Sequence, residues 1–379
     1  MAIVLLFTLL AQDPGAAWQR EIDRAVRNGT DYLKTAPSPG PFPNTNCDEF
    51  ILLTLLVAGI PDTNPRVDEL LHGCLRAPLT GTYKVALLAM ALEELDPSLY
   101  QVKMAQCAQF LVDNQAKNGQ WSYGAPTDLK KFPFEDTKKK VETGSKRGEA
   151  RVLGSTRKEK KKPARPIDIA QQRLQGDSGD NSSSQYAALG LRACHDANIR
   201  LPLDVLDLAR RWWIESQWPD EAPNKVGKNA VASGSDTTRL QGWTYQKPGD
   251  GSLGATDAMT AGAVGALVIY EYMMGRDFKK DAVTKAGVNW LGKHFTVNDN
   301  LYYMYAVERA GMLYDTVLFG DHDWYREGAR RLLETQKPDG SWGNKVDKPE
   351  QNTWDTCFAI LFLKKATRAV ATESAGSRR

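Results

Sequence analysis

The chain has 379 residues, with 49 Lys+Arg against 46 Asp+Glu, 42% hydrophobic residues and 25% charged ones. These proportions belong to an ordinary folded chain and exclude wholesale disorder and a collagen-like or fibrous protein. The longest apolar runs, Ala2–Leu10 and Ile51–Ile60, reach about half of the roughly 20 residues a membrane helix needs, which excludes a multi-span membrane protein.

In chain order, residues 1–16 come first. The run Met1–Gln12 resembles the apolar region of a secretory signal but lacks the basic residues that should precede it. It predicts a signal peptide, and so export, or alternatively an N-terminal arm on a cytoplasmic protein.

From residue 17 onward two kinds of helical segment alternate. Ala17–Thr35, Pro65–Ala77, Ser98–Gln115, Pro202–Gln217, Asp277–Phe295 and His322–Gln336 are amphipathic. In Pro202–Gln217, for example, Leu203, Leu206, Trp213 and Ile214 sit among Asp204, Asp207, Arg210, Arg211 and Glu215. One apolar stripe beside one charged stripe is the pattern of an outer layer. The other segments are Asn44–Ile60, Thr80–Leu95, Asp180–Asp196, Ala255–Glu271, Asp299–Leu313 and Gln351–Thr367. Each opens on Asn, Thr, Asp or Ser side chains able to cap a helix. Each then stays apolar and rich in small residues around much of its circumference, which predicts burial on more than one side.

Twelve helices in six hairpins predict an all-α fold, an (α/α)6 toroid or barrel with six inner helices inside six outer ones. An open superhelical stack of helix pairs is the competing arrangement. The toroid would be assembled from residues 17–124 and 180–370, with a flexible tail at 371–379.

Between the two parts lies a basic segment, 125–179. Residues 125–176 carry 15 Lys+Arg and 7 Asp+Glu, a net +8 that leaves −5 on the rest of the chain. With few apolar residues and no helical period, the segment is predicted to be a solvated, flexible insertion. Its lysines could also meet an anionic surface, but no aromatic residues interleave with them to stack bases, so nothing specific to nucleic acid is present.

The five cysteines, Cys47, Cys74, Cys107, Cys194 and Cys357, form no C-x-x-C pair and are odd in number. All lie in apolar helical stretches and are expected to be small buried thiols rather than a disulfide framework.

Three outer segments end alike. Gln115 is followed by Gly119 and Trp121, and Gln336 by Gly340 and Trp342; more loosely, Gln217 is followed by Gly242 and Trp243. The glutamine amide can bond backbone groups left free at helix ends. The glycine permits a left-handed turn, and the tryptophan covers the joint with an apolar plate and an N–H donor.

This repeat, in phase with small-residue inner helices, resembles the QW repeats of the squalene cyclase and prenyltransferase superfamily. It looks most like the single-ring repeat-containing sequences of bacteria. The resemblance covers most of the chain except the basic segment. It implies an α/α toroid whose central cavity, in the superfamily's enzymes, holds an isoprenoid chain.

The established chemistry of that superfamily is incomplete here. The cyclases' Asp-x-Asp-Asp acid is absent; the nearest string is Asp321-His322-Asp323-Trp324, whose carboxylates open an outer helix and suit its dipole. The prenyltransferases' zinc is held by Asp-x-Cys and a later histidine. Asp355-Thr356-Cys357 has the spacing, but no histidine follows Cys357. A cap aspartate and a core cysteine are the preferred reading, and no cofactor is expected, with zinc the alternative.

Residues in the first turns of the inner helices are candidates to line the pore: Asp48, Glu49, Tyr83, Gln185, Tyr186, Tyr302, Tyr303 and Trp354 as ligand contacts, and Asp257 and Asp355 as an acid/base pair should they face each other. Together these features predict a ligand-binding or interaction scaffold with a central cavity for an apolar or isoprenoid-like ligand. The alternatives are a divergent prenyl-transfer or cyclisation enzyme, or an α/α-barrel polysaccharide-cleaving enzyme.

Overall fold

The computed structural model describes residues 14–38, 47–136, 162–221, 239–249, 251–343 and 349–370. The apolar run at 1–13, the centre of the basic segment at 137–161 and the tail at 371–379 lie outside the described residues.

Among the described residues the chain forms twelve α-helices. Six are α1 (Pro14–Thr35), α3 (Pro65–Arg76), α5 (Gln101–Asp113), α7 (Leu203–Glu215), α9 (Ala282–His294) and α11 (Trp324–Thr335). The six that alternate with them are α2 (Asp48–Val57), α4 (Thr82–Leu95), α6 (Asn181–Asp196), α8 (Asp257–Met273), α10 (Leu301–Tyr314) and α12 (Pro349–Leu363). Within the second set each helix packs on the next, α2 on α4 through to α10 on α12, and α12 packs back on α2. The ring is therefore closed, which decides against the open stack. The first set forms the outer layer: α3 lies against α2, α5 against α4 and α6, α7 and α9 against α8, and α11 against α10 and α12. α1 fills the seam, touching α2, α11 and α12. None of the described helices is long and apolar enough to cross a membrane.

Burial follows the two sequence patterns. Fifteen residues of the inner helix α8 are buried, against five of the outer α7. Small residues let the inner helices approach closely: a Cβ on Gly190 of α6 would lie 2.7 Å from the Cα of Ala86 on α4. All five cysteines are buried and free.

The helix α5 departs from the outer pattern, with ten buried residues. Both described ends of the basic segment lie over it. Gln106 and Gln109 donate their amides to the carbonyls of Phe132 (2.7 Å) and Ala170 (2.8 Å). Gln171 donates to the carbonyl of Val112 at 2.9 Å, and Asp113 accepts from the Gln172 amide at 2.8 Å. Two-residue strands β1 (Ile167–Asp168) and β2 (Ile199–Arg200) pair in parallel, and Asp136 takes both His72 and Arg76. The ends predicted to be solvated thus coat α5. The outward-facing glutamines of α5, which ask for a backbone partner, are the signal that announced it. Strands β3 (Leu318–Phe319) and β4 (His322–Asp323) form a small hairpin before α11.

The three Gln…Trp turns are staples between neighbouring hairpins. In each, the indole N–H returns to a carbonyl of its own outer helix: Trp121 to Leu111 (2.7 Å), Trp243 to Trp213 (2.7 Å), Trp342 to Leu332 (2.8 Å). The backbone N–H of each tryptophan donates to a hydroxyl on the following inner helix, Ser184 at 2.9 Å, Thr260 at 3.0 Å and Thr356 at 3.0 Å. The glutamine amides reach the next outer helix, to the carbonyls of Val205 (2.9 Å), Val283 (3.1 Å) and Ala25 (2.8 Å). The same amides also reach back to their own turns, Gln336 to the Gly340 carbonyl at 3.0 Å and Gln217 to that of Gln241 at 3.3 Å. Gly119 and Gly340 are left-handed (φ 94° and 87°), as predicted. Gly242 is not, because it stands next to its tryptophan. There it makes room: a Cβ would lie 2.5 Å from Thr260 Oγ1 and 2.7 Å from the Ala255 Cβ.

Candidate functional site

The first turns of the inner helices α4, α6 and α10 meet through Tyr83, Gln185, Tyr186 and Tyr302, and those of α2 and α12 through Phe50 and Trp354, so they share one mouth of the ring. Side-chain caps were predicted at each. Asp180 caps α6, accepting from the Ser183 amide at 2.7 Å, and Asn300 caps α10, accepting from Tyr303 at 3.2 Å. α2, α4 and α8 are preceded by Cys47, Gly81 and Thr256, which make no such bond. The staples substitute for some of them. The carbonyl of Tyr123, two residues past Trp121, accepts from the Thr82 amide at 2.9 Å, and that of Trp243 from Thr256 at 2.8 Å. The side chains of Tyr123 and Tyr245 stand 60% and 50% exposed beside the first turns of α4 and α6, to which their carbonyls are bonded.

Inside this rim lie three half-buried aromatics, Tyr83, Tyr302 and Trp354. The hydroxyls of Tyr83 and Tyr302 are 3.4 Å apart. Gln185 donates its amide to the Tyr302 hydroxyl at 2.6 Å and accepts from Arg309 at 2.6 Å. Tyr83 and Tyr186 pack with ring centres 4.1 Å apart. Phe358 links the rest, with centroids 5.7 Å from Tyr302, 4.8 Å from Phe50 and 6.3 Å from Trp354. Five predicted contacts, Tyr83, Gln185, Tyr186, Tyr302 and Trp354, thus fall in one cluster.

Burial pushes the tyrosine hydroxyls at 83, 186, 302 and 305 above the ordinary range. They stay protonated, as hydrogen-bonding groups, at any physiological pH.

The remaining candidates lie apart. Tyr303, one residue round the helix from Tyr302, is fully buried away from the cluster, with the charge of Asp257 acting on it. Asp48 lines a cleft of about 630 Å³ between the end of α1 and the starts of α2 and α3, with Lys34, Arg66 and Glu69. Asp257 is on α8 and Asp355 on α12, with α10 between them in the ring. Asp257 bonds the Ala258 amide (2.7 Å) and Asn298 (3.4 Å), and Asp355 accepts from Gln351 at 3.2 Å. Glu49 is buried at the start of α2, 3.5 Å from Lys84, and burial raises its pKa to about 7 against the pull of that lysine.

Zinc does not fit. Among the described residues no three His, Cys, Asp or Glu side chains come together to hold a metal ion. Cys357 is fully buried near Thr54, its thiol pushed well above the ordinary range by burial, and Asp355 two residues earlier leaves the helix on another side. Asp323 caps α11, accepting from the Arg326 amide at 2.9 Å, as the dipole argument predicted.

Four residues of the cluster, Phe50, Tyr305, Arg309 and Phe358, were not among the predicted contacts. Tyr305 and Arg309 follow Tyr302 at i+3 and i+7, on one face of α10. A charged pair, Glu308-Arg309, inside an otherwise apolar inner helix was the signal available in sequence.

The opposite mouth is closed by ions. Arg368 lies between Glu93 and Glu94, 2.8 Å from the latter. Beneath it, Leu53, Met90, Leu189, Leu361 and Tyr305 border a cavity of about 30 Å³.

No protein-family model matches the chain, and no curated protein matches it. Among solved structures it is similar to the type II terpene cyclase MstE from Scytonema (apo), at 11% identity and a TM-score of 0.33, over 92% of this chain and 98% of that one. The ring closure described above, rather than this likeness, establishes the toroid.

Proposed function

We propose that the chain is a ligand-binding ring of the squalene cyclase and prenyltransferase superfamily that takes an apolar, isoprenoid-like molecule at the mouth formed by its inner-helix N-termini. It works as a binding or interaction scaffold and not through the superfamily's established acid or zinc chemistry. The observation that carries this reading is the convergence of half-buried Tyr83, Tyr302 and Trp354 inside a rim bearing exposed Tyr123 and Tyr245. Aromatic faces with a few oriented polar groups are what an apolar ligand with one polar end requires. The in-phase staples support the superfamily assignment, and the dispersal of Asp257, Asp355 and Cys357 supports the absence of its chemistry.

The test is mass spectrometry of lipids extracted from the purified protein. An apolar species should accompany the native chain and be lost from a Tyr302→Ala/Trp354→Ala variant that keeps its helical circular dichroism. Protein that carries none, and takes up none of an added prenol, would sink the proposal.

A second reading rests on Tyr245, 50% exposed, whose carbonyl accepts from the Asn181 amide beside Asp180 and whose near neighbour Trp243 pairs with Thr256 beside Asp257. An exposed aromatic beside two carboxylates suits a sugar ring. Release of reducing ends from an added polysaccharide, lost on Asp257→Asn, would favour that enzyme over the scaffold.

A further inference from the structure

The inner ring closes in the order α2, α4, α6, α8, α10, α12, which sets α4 and α10 opposite each other. After α12 the chain runs on without helix through Ala366–Val370. Two consecutive residues of this strap are held by those opposite helices. Thr367 donates to Glu308 on α10, from N at 2.9 Å and from Oγ1 at 2.7 Å. Arg368 pairs with Glu93 and Glu94 on α4, 2.8 Å from the latter. The strap therefore crosses the axis of the ring.

What it covers lies on the axis too. The cavity of about 30 Å³ beneath it is bordered by residues from five of the six inner helices: Leu53 of α2, Met90 of α4, Leu189 of α6, Tyr305 of α10 and Leu361 of α12. Ala366, Thr367 and Arg368 of the strap complete its wall. Burial opposes the charge of Arg368, but Glu93 and Glu94, with Asp196 beyond them, outweigh it and keep the guanidinium protonated. A planar fork of N–H donors between two carboxylates is the arrangement by which a free guanidinium is recognised.

We propose that Ala366–Val370 plugs a second opening of the ring, and that this opening is a binding site for a guanidinium group with Arg368 as its resident ligand. Release of the plug opens the central space from the side away from the aromatic mouth and leaves Glu93 and Glu94 to take a guanidinium compound from solution. The proposal rests on the closed ring and is independent of what the mouth binds.

The experiment uses the full chain carrying Leu189→Cys, which places a thiol at the cavity; the five native cysteines are buried and give a slow background. Labelling by a methanethiosulfonate reagent reports opening. Adding Arg368→Ala should speed labelling at position 189 by at least about tenfold, while Cys107, on the outer helix α5, keeps its slow rate. Methylguanidinium at low millimolar concentration should slow labelling of that variant again and raise its Tm saturably. Tetramethylammonium, a cation without N–H donors, should do neither, and Glu94→Gln should abolish the rescue. If Arg368→Ala does not fold, Thr367→Val decides: it loosens the strap but keeps Arg368, so labelling should quicken, and quicken further as methylguanidinium competes with Arg368. Labelling at position 189 that is unchanged in both variants, equal acceleration at Cys107, or rescue by tetramethylammonium as effective as by methylguanidinium would overturn the proposal.

Discussion

The side-chain amide of Gln336 donates to the backbone carbonyl of Ala25 at 2.8 Å, across 311 residues of chain, and so ties α11 to α1 at the seam of the ring. The Val205 and Val283 carbonyls receive the same bond from Gln115 and Gln217 within the body of the fold. Gln336→Ala should therefore lower stability by about 1 kcal/mol, as for a typical part-buried hydrogen bond. Hydrogen exchange should show the loss concentrated at α1 and α12. Uniform loss across the ring would argue against a seam.

Gly119 combines a φ of 94° with a neighbour it cannot move. A Cβ there would strike the carbonyl of Leu208 on α7. Gly119→Ala should cost about 2 kcal/mol or more in urea unfolding, from backbone strain and displacement of α7 together. Gly249, with a similar φ of 92° and nothing near its would-be Cβ, supplies the control. Its alanine variant carries the strain without the collision and should cost less.

Glu49 makes stability depend on pH. Burial raises its carboxyl from an ordinary 4.5 to about 7. Between those values the folded chain holds a proton that the unfolded chain has released. Its contribution is thus complete below the unfolded pKa and is lost as pH rises through 7, a swing of about 3 kcal/mol. Glu49→Gln should flatten the unfolding free energy over pH 4.5–7 and raise it at pH 8. An unchanged slope would show that Glu49 is ionised in the folded protein.

Arg368 holds two carboxylates at the closed mouth. Its partners Glu93 and Glu94 have side chains only 12% and 8% exposed, so removing the cation takes a buried counter-charge from both. Arg368→Met should cost about 3 kcal/mol at neutral pH. A triple variant with Glu93→Gln and Glu94→Gln should recover much of that loss, and chemical denaturation of the three proteins closes the comparison. A triple variant as unstable as Arg368→Met would locate the damage in packing rather than charge.

The residue pattern by itself determined the twelve helices, their sorting into inner and outer layers and the positions of the three staples. The reason is that amphipathic periodicity and the Gln-to-Trp spacing are local properties, written within a single helix and its following turn. Ser184, Thr260 and Thr356, which receive the tryptophan amides, fall at corresponding places on three inner helices, but only the packed ring pairs them with their tryptophans. The tertiary structure alone decided that Tyr302 meets Gln185 while Tyr303 turns away, and that Arg309 reaches Gln185. An inner helix is apolar on nearly every side, so its sequence carries little information about its rotation. Which side chains reach the axis is settled by neighbours far along the chain, through the close approaches that glycines such as Gly190 and Gly262 permit.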